Sequence, residues 1–255
     1  MSRETDFIIP EWPAPTTVRA LTSTRLGGAS RGGYASNNLA LHVGDDESLV
    51  RENRQRLVED KLIPRAPQWL EQVHGDKVVE ASADGWVQTA DACFTRQREL
   101  PCAVLTADCL PILLCNTAGT QVAAVHAGWR SLAAGIVRKT LATFSDDTPE
   151  LMAWLGPAIG PAQFEVGVDV LEAFFASAID DQHADMIAGA FTAGQKPMRF
   201  MADLYALARA ELNGAGVDRI FGGDFCTYEQ GDRFYSFRRD GKGSGRMASI
   251  IWLAV

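Results

Sequence analysis

The chain has 255 residues, 47% of them hydrophobic, with a net charge of −8 and a pI near 5.0. The length fits one domain over 1–255 with a sizeable core, and the acidic balance disfavours nucleic-acid polymers and anionic membranes, which reward clustered Lys and Arg. No apolar run is long enough to span a bilayer and the N-terminus carries no signal-peptide core, so a soluble, cytoplasmic protein is expected.

In chain order, residues 1–20 are Pro-rich and read as an extended lead-in with a strand near Val18. G-G-A-S-R-G-G-Y at 27–34 reads as a flexible polar loop, because paired glycines disfavour regular structure. A helix is predicted over 46–61, where Leu49, Val50, Leu57 and Val58 fall near a 3.6 period. From 68 to 127 short apolar runs recur (W-L-E-Q-V, K-V-V-E-A, A-C-F-T, C-A-V-L-T, P-I-L-L-C, V-A-A-V-H) and read as strands of a buried sheet. N-T-A-G-T at 116–120 reads as a tight turn. The resulting antiparallel hairpin would bring Cys109 and His126 to one sheet edge, with Pro111 breaking the strand beside Cys109. A helix follows over 132–144 with Ser131 as N-cap, then a strand over 151–155. Helices are expected over 168–178 and 202–212, the second started by Asp203 or the residues just before it and ended by G-A-G at 214–216. Strand character returns at 219–221, 234–237 and 249–253. The pattern is that of a mixed α/β (α+β) layered domain with its sites on loops at strand ends.

The five cysteines are odd in number. Cys93, Cys102 and Cys115 lie inside apolar runs and read, with Cys226, as reduced core thiols rather than a disulfide framework.

Cys109 in T-A-D-C-L-P and His126 in A-V-H-A-G-W-R each sit at the polar end of an apolar run, and His74 in Q-V-H-G ends another. One thiolate and two imidazoles suit zinc, leaving a fourth coordination place open, where the ion brings a water's pKa to about 7. The same Cys109 and His126 also suit a nucleophilic dyad, with Asp108 orienting His126 or acting as an acid. The spacing leaves both readings open. Arg130 precedes a helix N-terminus, Arg25 precedes the 27–34 loop, and Arg238, Arg239, Lys242 and Arg246 surround a Gly-rich loop; together they point to a phosphate or carboxylate pocket. Glu165 reads as a surface carboxylate, His42 as structural, His183 as a solvated loop residue, and Trp129 as a core residue or a platform for a flat substrate.

These residues resemble the YfiH-like family, also called the laccase-domain or peptidoglycan-editing-factor family. The resemblance is carried by T-R-L-G-G-A-S at 24–30, N-L-A-L-H-V-G-D-D at 38–46, E-N-R at 52–54, Q-V-H-G at 72–75, A-D-A at 90–92, T-A-D-C-L-P at 106–111, A-V-H-A-G-W-R at 124–130, G-P-A-I at 156–159 and the segment 235–246. It covers nearly the whole chain. It implies a layered α/β/β/α sandwich and a zinc centre whose ligands, by motif match, are His74, Cys109 and His126. It implies phosphorolysis of adenosine, inosine, guanosine and methylthioadenosine, and adenosine deamination, with purine nucleoside and phosphate as the partners. Phosphate would be held by Arg130 first, then Arg25 and Arg246; Asp108 is the candidate acid. The family is also associated with copper-dependent polyphenol oxidation and with peptidoglycan editing. Four histidines cannot build both a type 1 copper and a trinuclear cluster, so copper would be confined to a single His₂Cys site. The rival class is a Cys109–His126 hydrolase or amidase acting on a cell-wall precursor. The chain departs from the family pattern at Ser131, where glycine is usual, and at Ala162-Gln163, where cysteine is frequent.

Overall fold

The computed structural model describes residues 7–60, 62–144 and 150–255. The start of the expected lead-in and Lys61, the expected end of the first helix, lie outside them. Strands Phe7–Ile8 (β1) and Val18–Ser23 (β2) precede helix Glu47–Glu59 (α1), where the Asp46 carboxylate accepts from the Ser48 N–H and so caps the first turn. Then follow Leu70–Glu71 (β3), Val78–Glu80 (β4), Gln88–Thr89 (β5), Ala92–Thr95 (β6), Cys102–Thr106 (β7), Leu110–Asn116 (β8) and Val122–Ala127 (β9). Helices Trp129–Ala133 (α2) and Ile136–Leu141 (α3) lead to Leu151–Leu155 (β10), Glu165–Gly167 (β11), Val168–Ala176 (α4) and Asp181–Gly189 (α5). The chain closes with Phe191–Ala193 (β12), Arg199–Ala202 (β13), Leu204–Gly214 (α6), Arg219–Gly222 (β14), Phe237–Asp240 (α7) and Met247–Leu253 (β15).

Two sheets form the middle of the molecule. One is antiparallel with strand order β1-β2-β15-β7; the other is mixed, with order β14-β10-β8-β9-β6-β4. The apolar runs expected to make one sheet are therefore divided, with β7 in the first sheet and β6, β8 and β9 in the second. Period-two alternation explains why β8 has no polar face. Leu113 and Cys115 meet Val104, Ile251 and Leu253 between the sheets, whereas Ile112 and Leu114 pack with Leu132, Ile136 and Leu207 beneath the helices. The far face of the smaller sheet is covered by Leu57 and Ile63, packed on Leu21, Leu105 and Trp252. This is the α/β/β/α layering. Truncating a fully buried leucine such as Leu113 to alanine costs about 2–5 kcal/mol by loss of transfer energy and creation of a cavity.

Several local expectations are corrected. The 132–144 helix is two short helices, because Gly135 takes a left-handed φ of 82° between them. Gly128, not Ser131, stands at the N-cap, and the Ser131 hydroxyl lies buried inside α2 without a hydrogen-bond partner among the described residues. Pro111 does not break its strand; it lies within β8 opposite His126, and its carbonyl accepts from the Gly156 N–H at 2.9 Å. The break comes just before β8, where Asp108 has φ 90°. The 234–237 segment is not a strand. Phe234, Tyr235 and Ser236 are buried in a loop, and the Ser236 hydroxyl accepts from Arg239 N–H to start α7. His183 is no loop residue: Asp180 caps α5, and His183 on that helix is buried beside Glu211. Its charged sequence neighbours hid the helical pattern. Cys93, Cys102 and Cys115 are buried free thiols as expected, whereas Cys226 is half-buried. Burial pushes Cys115 up to about 12, an unreactive thiol.

Candidate metal centre and its cavity

The β8–β9 hairpin pairs Leu110 with Ala127 and Pro111 with His126. Cys109 immediately precedes β8, so it reaches the same edge as His126. His74 arrives from the loop after β3 with a left-handed φ of 59°. Their ligand atoms all lie within 4.8 Å of one another. His74 Nε2 is 3.8 Å from Cys109 Sγ, and the two imidazoles meet edge to face with centroids 4.8 Å apart. His126 is buried, Cys109 half-buried and His74 exposed, so the cluster opens to one side.

Electrostatics favour a thiolate on Cys109 and a cation on His126. Burial pushes the Cys109 thiol up, but the adjacent charge of His126, with hydrogen bonds from His126 and His74, outweighs it and brings the thiol down to about 6. Burial likewise disfavours the His126 cation, but Cys109 and Asp91 reverse this and raise His126 to about 9. In the absence of metal, thiolate and imidazolium therefore sustain each other.

Asp91 is the functional residue that sequence reasoning missed. It is fully buried. One carboxylate oxygen accepts from His126 Nδ1 at 2.8 Å and from the His74 N–H at 2.9 Å; the other accepts from the N–H groups of Val73 and Gly75 at 3.2 and 2.7 Å. Burial alone would raise its pKa, but these bonds and the His126 charge leave it below the usual carboxylate value. The signal available in sequence was an acid flanked by two alanines at the start of an apolar strand, a position that buries a charge only if it has partners.

A cavity of about 340 Å³ covers the centre, within the range of small-ligand sites. Its aromatic walls are Trp129, Phe164 and Phe237, and Arg130, Arg238 and Arg246 stand around it. Each guanidinium lies over one ring: Arg130 on Trp129, Arg238 on Phe164 and Arg246 on Phe237. Asp108 also lines the cavity, with one oxygen accepting from the Thr227 hydroxyl at 2.7 Å and the other from the Arg238 N–H at 2.6 Å. The Thr106 hydroxyl, buried and without a partner among the described residues, belongs to a residue of the same lining.

Arg25 is not brought to the cavity. Its guanidinium is tied to the carbonyls of Ala35 and Gly231 and stacked on Tyr235. Arg239 is consumed by the carbonyls of Thr227, Tyr228 and Phe234. The Glu165 carboxylate is not part of the cavity lining and accepts from the Gln195 N–H, while its carbonyl accepts from Arg238 Nη1. His42, expected to be structural, is exposed and lines the cavity instead.

The donor set fits a divalent ion. Two imidazoles and a thiolate make three ligands with one side open. Space for them is kept by Gly128, where an added Cβ would come 2.9 Å from Cys109 Sγ and 3.3 Å from His74 Cδ2.

The family model described as multi-copper polyphenol oxidoreductase laccase matches residues 19–254. A Shigella flexneri protein named purine nucleoside phosphorylase YfiH is 49% identical over 253 residues, covering 97% of this chain and 98% of its own. The chain belongs to the YfiH-like family. Another relative, purine nucleoside phosphorylase PA4543 of Pseudomonas aeruginosa, is 48% identical over 247 residues, covering 97% of this chain and 98% of its own. The crystal structure of Neisseria meningitidis protein NMB0706 superposes with a TM-score of 0.90 at 46% identity, over 98% of this chain and all of that one. Among the described residues, no helix is long and apolar enough to cross a membrane. The family description names copper, yet among the described residues the cluster is a single His₂Cys set, and none of the methionines among them lines its cavity to serve as an axial ligand.

Proposed function

We propose that this chain is a zinc-dependent purine nucleoside enzyme that cleaves nucleosides by phosphorolysis and deaminates adenosine. The observation that carries the reading is the convergence of His74, Cys109 and His126 at the base of a cavity with aromatic walls and an arginine rim. The names of the YfiH-like relatives support the substrate class. When bound, zinc would supply Lewis acidity and acidify a water in its open place. Copper is the alternative occupant of the same donors.

The chain's own groups account for the rest. Trp129, Phe164 and Phe237 offer flat apolar surface to a purine. Arg130 and Arg246, joined by Arg238, would hold phosphate by charge-assisted hydrogen bonds. In phosphorolysis a phosphate oxygen bonds to C1′ of the ribose as the C1′–N9 bond breaks, and the purine leaves with the bonding pair and takes up a proton. Both oxygens of Asp108 already accept hydrogen bonds, which suits it to receive a proton from an attacking water in deamination better than to donate one. Incubation with adenosine and phosphate, followed by chromatography, tests the reading: adenine with ribose 1-phosphate marks phosphorolysis and inosine marks deamination. Neither product at one zinc per chain would sink it.

A second reading is favoured by the thiolate–imidazolium pair itself: a metal-free Cys109–His126 hydrolase acting on a cell-wall precursor. Purified protein without metal, inactivated by alkylation of Cys109 and inert toward nucleosides, would decide for it.

A further inference from the structure

We infer that Asp91 is the positioning residue of the centre, a single carboxylate that fixes two of the three candidate ligands, His126 through its ring and His74 through its backbone. This rests on the metal reading above. Asp91 touches no ligand position in the cavity itself; it lies beneath, at the entrance to β6.

Each carboxylate oxygen takes two N–H donors: His126 Nδ1 and the His74 amide on one, the Val73 and Gly75 amides on the other. The Asp91 carbonyl also accepts the His126 N–H at 2.7 Å. An ionised carboxylate has acceptor sites for all four side-chain contacts and no donor to conflict with them. Both ligands depend on this. With Nδ1 donating to Asp91, the ring of His126 leaves Nε2 to face Cys109 and His74, the orientation that a carboxylate–histidine pair imposes at metal sites. His74 is exposed and holds a left-handed φ that a residue with a Cβ rarely adopts. Three consecutive amides anchored on one buried acid keep that loop in place. Gly75 approaches Asp91 closely enough that a Cβ there would lie 3.5 Å from the carboxylate.

The consequence is that Asp91→Asn is not a conservative change. An amide has one acceptor oxygen and one NH₂. Turned one way, its NH₂ opposes the Val73 and Gly75 amides and the His74 loop is released. Turned the other way, it opposes His126 Nδ1–H and the His74 amide, and the ring escapes the conflict with Nδ1 only by moving its proton to Nε2, so that the nitrogen facing Cys109 and His74 no longer has a lone pair for a metal.

The test measures zinc affinity of the full chain by competition with a chromophoric chelator, alongside two readings on unaltered protein. Asp91→Asn is expected to weaken zinc by about 10–100-fold. In metal-free wild-type protein the amides of residues 73–75 are expected to exchange with solvent about tenfold or more slower than free loop amides. In zinc-loaded wild-type protein the His126 ring is expected to show a hydrogen-bonded Nδ1–H resonance that Asp91→Asn removes or shifts. Zinc affinity within about threefold of wild type in a folded Asp91→Asn protein, or unprotected amides at 73–75, overturns the inference. If Asp91→Asn does not fold, amide exchange and the ring resonance of the wild type decide. If wild-type protein takes up no zinc, the metal reading fails, and amide protection alone then decides whether Asp91 orders the loop.

Discussion

A Cβ placed on Gly128 would stand 2.9 Å from Cys109 Sγ, closer than real contacts allow. Its backbone, at φ −61° and ψ 158°, is open to any residue, so the requirement for glycine is steric alone. Gly128→Ala should displace the thiol or the His74 ring and cost about 1–3 kcal/mol through overpacking. The expected result is a folded protein with lowered melting temperature and loss of stoichiometric metal. Wild-type metal content in the variant would refute the steric account.

The pairing of Cys109 with His126 makes a pH prediction for metal-free protein. The thiol titrates at about 6 because the His126 cation, which persists to about 9, favours the thiolate. Iodoacetamide should therefore label Cys109 at a rate that rises through pH 6 and is flat by pH 8. His126→Asn removes the cation, so the midpoint should move upward toward the ordinary thiol value of about 8.5. A midpoint unchanged by that substitution would show that His126 does not support the thiolate. Zinc should protect the thiol at neutral pH and lose its hold as acid protonates the ligands.

The arginines separate into two groups that kinetics can distinguish. Arg246 and Arg130 line the cavity, and removing a charge-assisted bond to phosphate costs about 1.5–3 kcal/mol. Arg246→Ala or Arg130→Ala should raise the KM for phosphate by about tenfold or more. Arg25 is bonded to Ala35 and Gly231 carbonyls and stacked on Tyr235. Arg25→Ala should lower thermal stability and leave the phosphate KM unchanged. A selective rise in that KM would return Arg25 to the site.

How much of this was legible in the sequence depended on how local the signal was. The β8–β9 hairpin could be read because two apolar runs flank a turn at 116–120, and that hairpin alone places Cys109 beside His126. A mixed α/β layered domain could be read from the run of elements, but the α/β/β/α sandwich and the convergence of His74 followed from the family motifs, since no local pattern says that the loop after β3 folds over the hairpin. Pro111 misled because a proline breaks a ladder only where its N–H is needed; here the strand begins at Leu110 and the break falls at Asp108. Gly135 was invisible as a helix break because the apolar spacing continues across it. Asp91 was overlooked because its importance lies in four donors from residues distant in sequence. Arg25 and Arg246 look alike in sequence, both beside Gly-rich loops, and only the tertiary structure sends one to the cavity and the other to Tyr235.

A separate consequence lies away from the centre, between α5 and α6. The Glu211 side chain is wholly buried, 3.0 Å from Arg138 Nη1 and 3.4 Å from His183 Nε2, and its Oε1 has no hydrogen-bond partner among the described residues. Burial pushes it from an ordinary value of 4.5 up to about 7, against the partial pull of Arg138. The folded protein thus keeps a proton on Glu211 that the unfolded chain has lost between pH 4.5 and about 7. Its contribution to stability is fully present below pH 4.5 and declines as pH rises through about 7. His183 acts in the opposite sense: burial and the Arg138 charge lower its pKa, so stability from that residue is lost as pH falls below the ordinary histidine value. The two trends mask each other in wild-type protein, and a substitution separates them. Glu211→Gln stays neutral at every pH and can still accept from Arg138. Relative to wild type it should gain about 2–3 kcal/mol in urea unfolding between pH 5 and pH 8. An equal stability difference at both pH values would mean that Glu211 is ionised in the fold throughout that range.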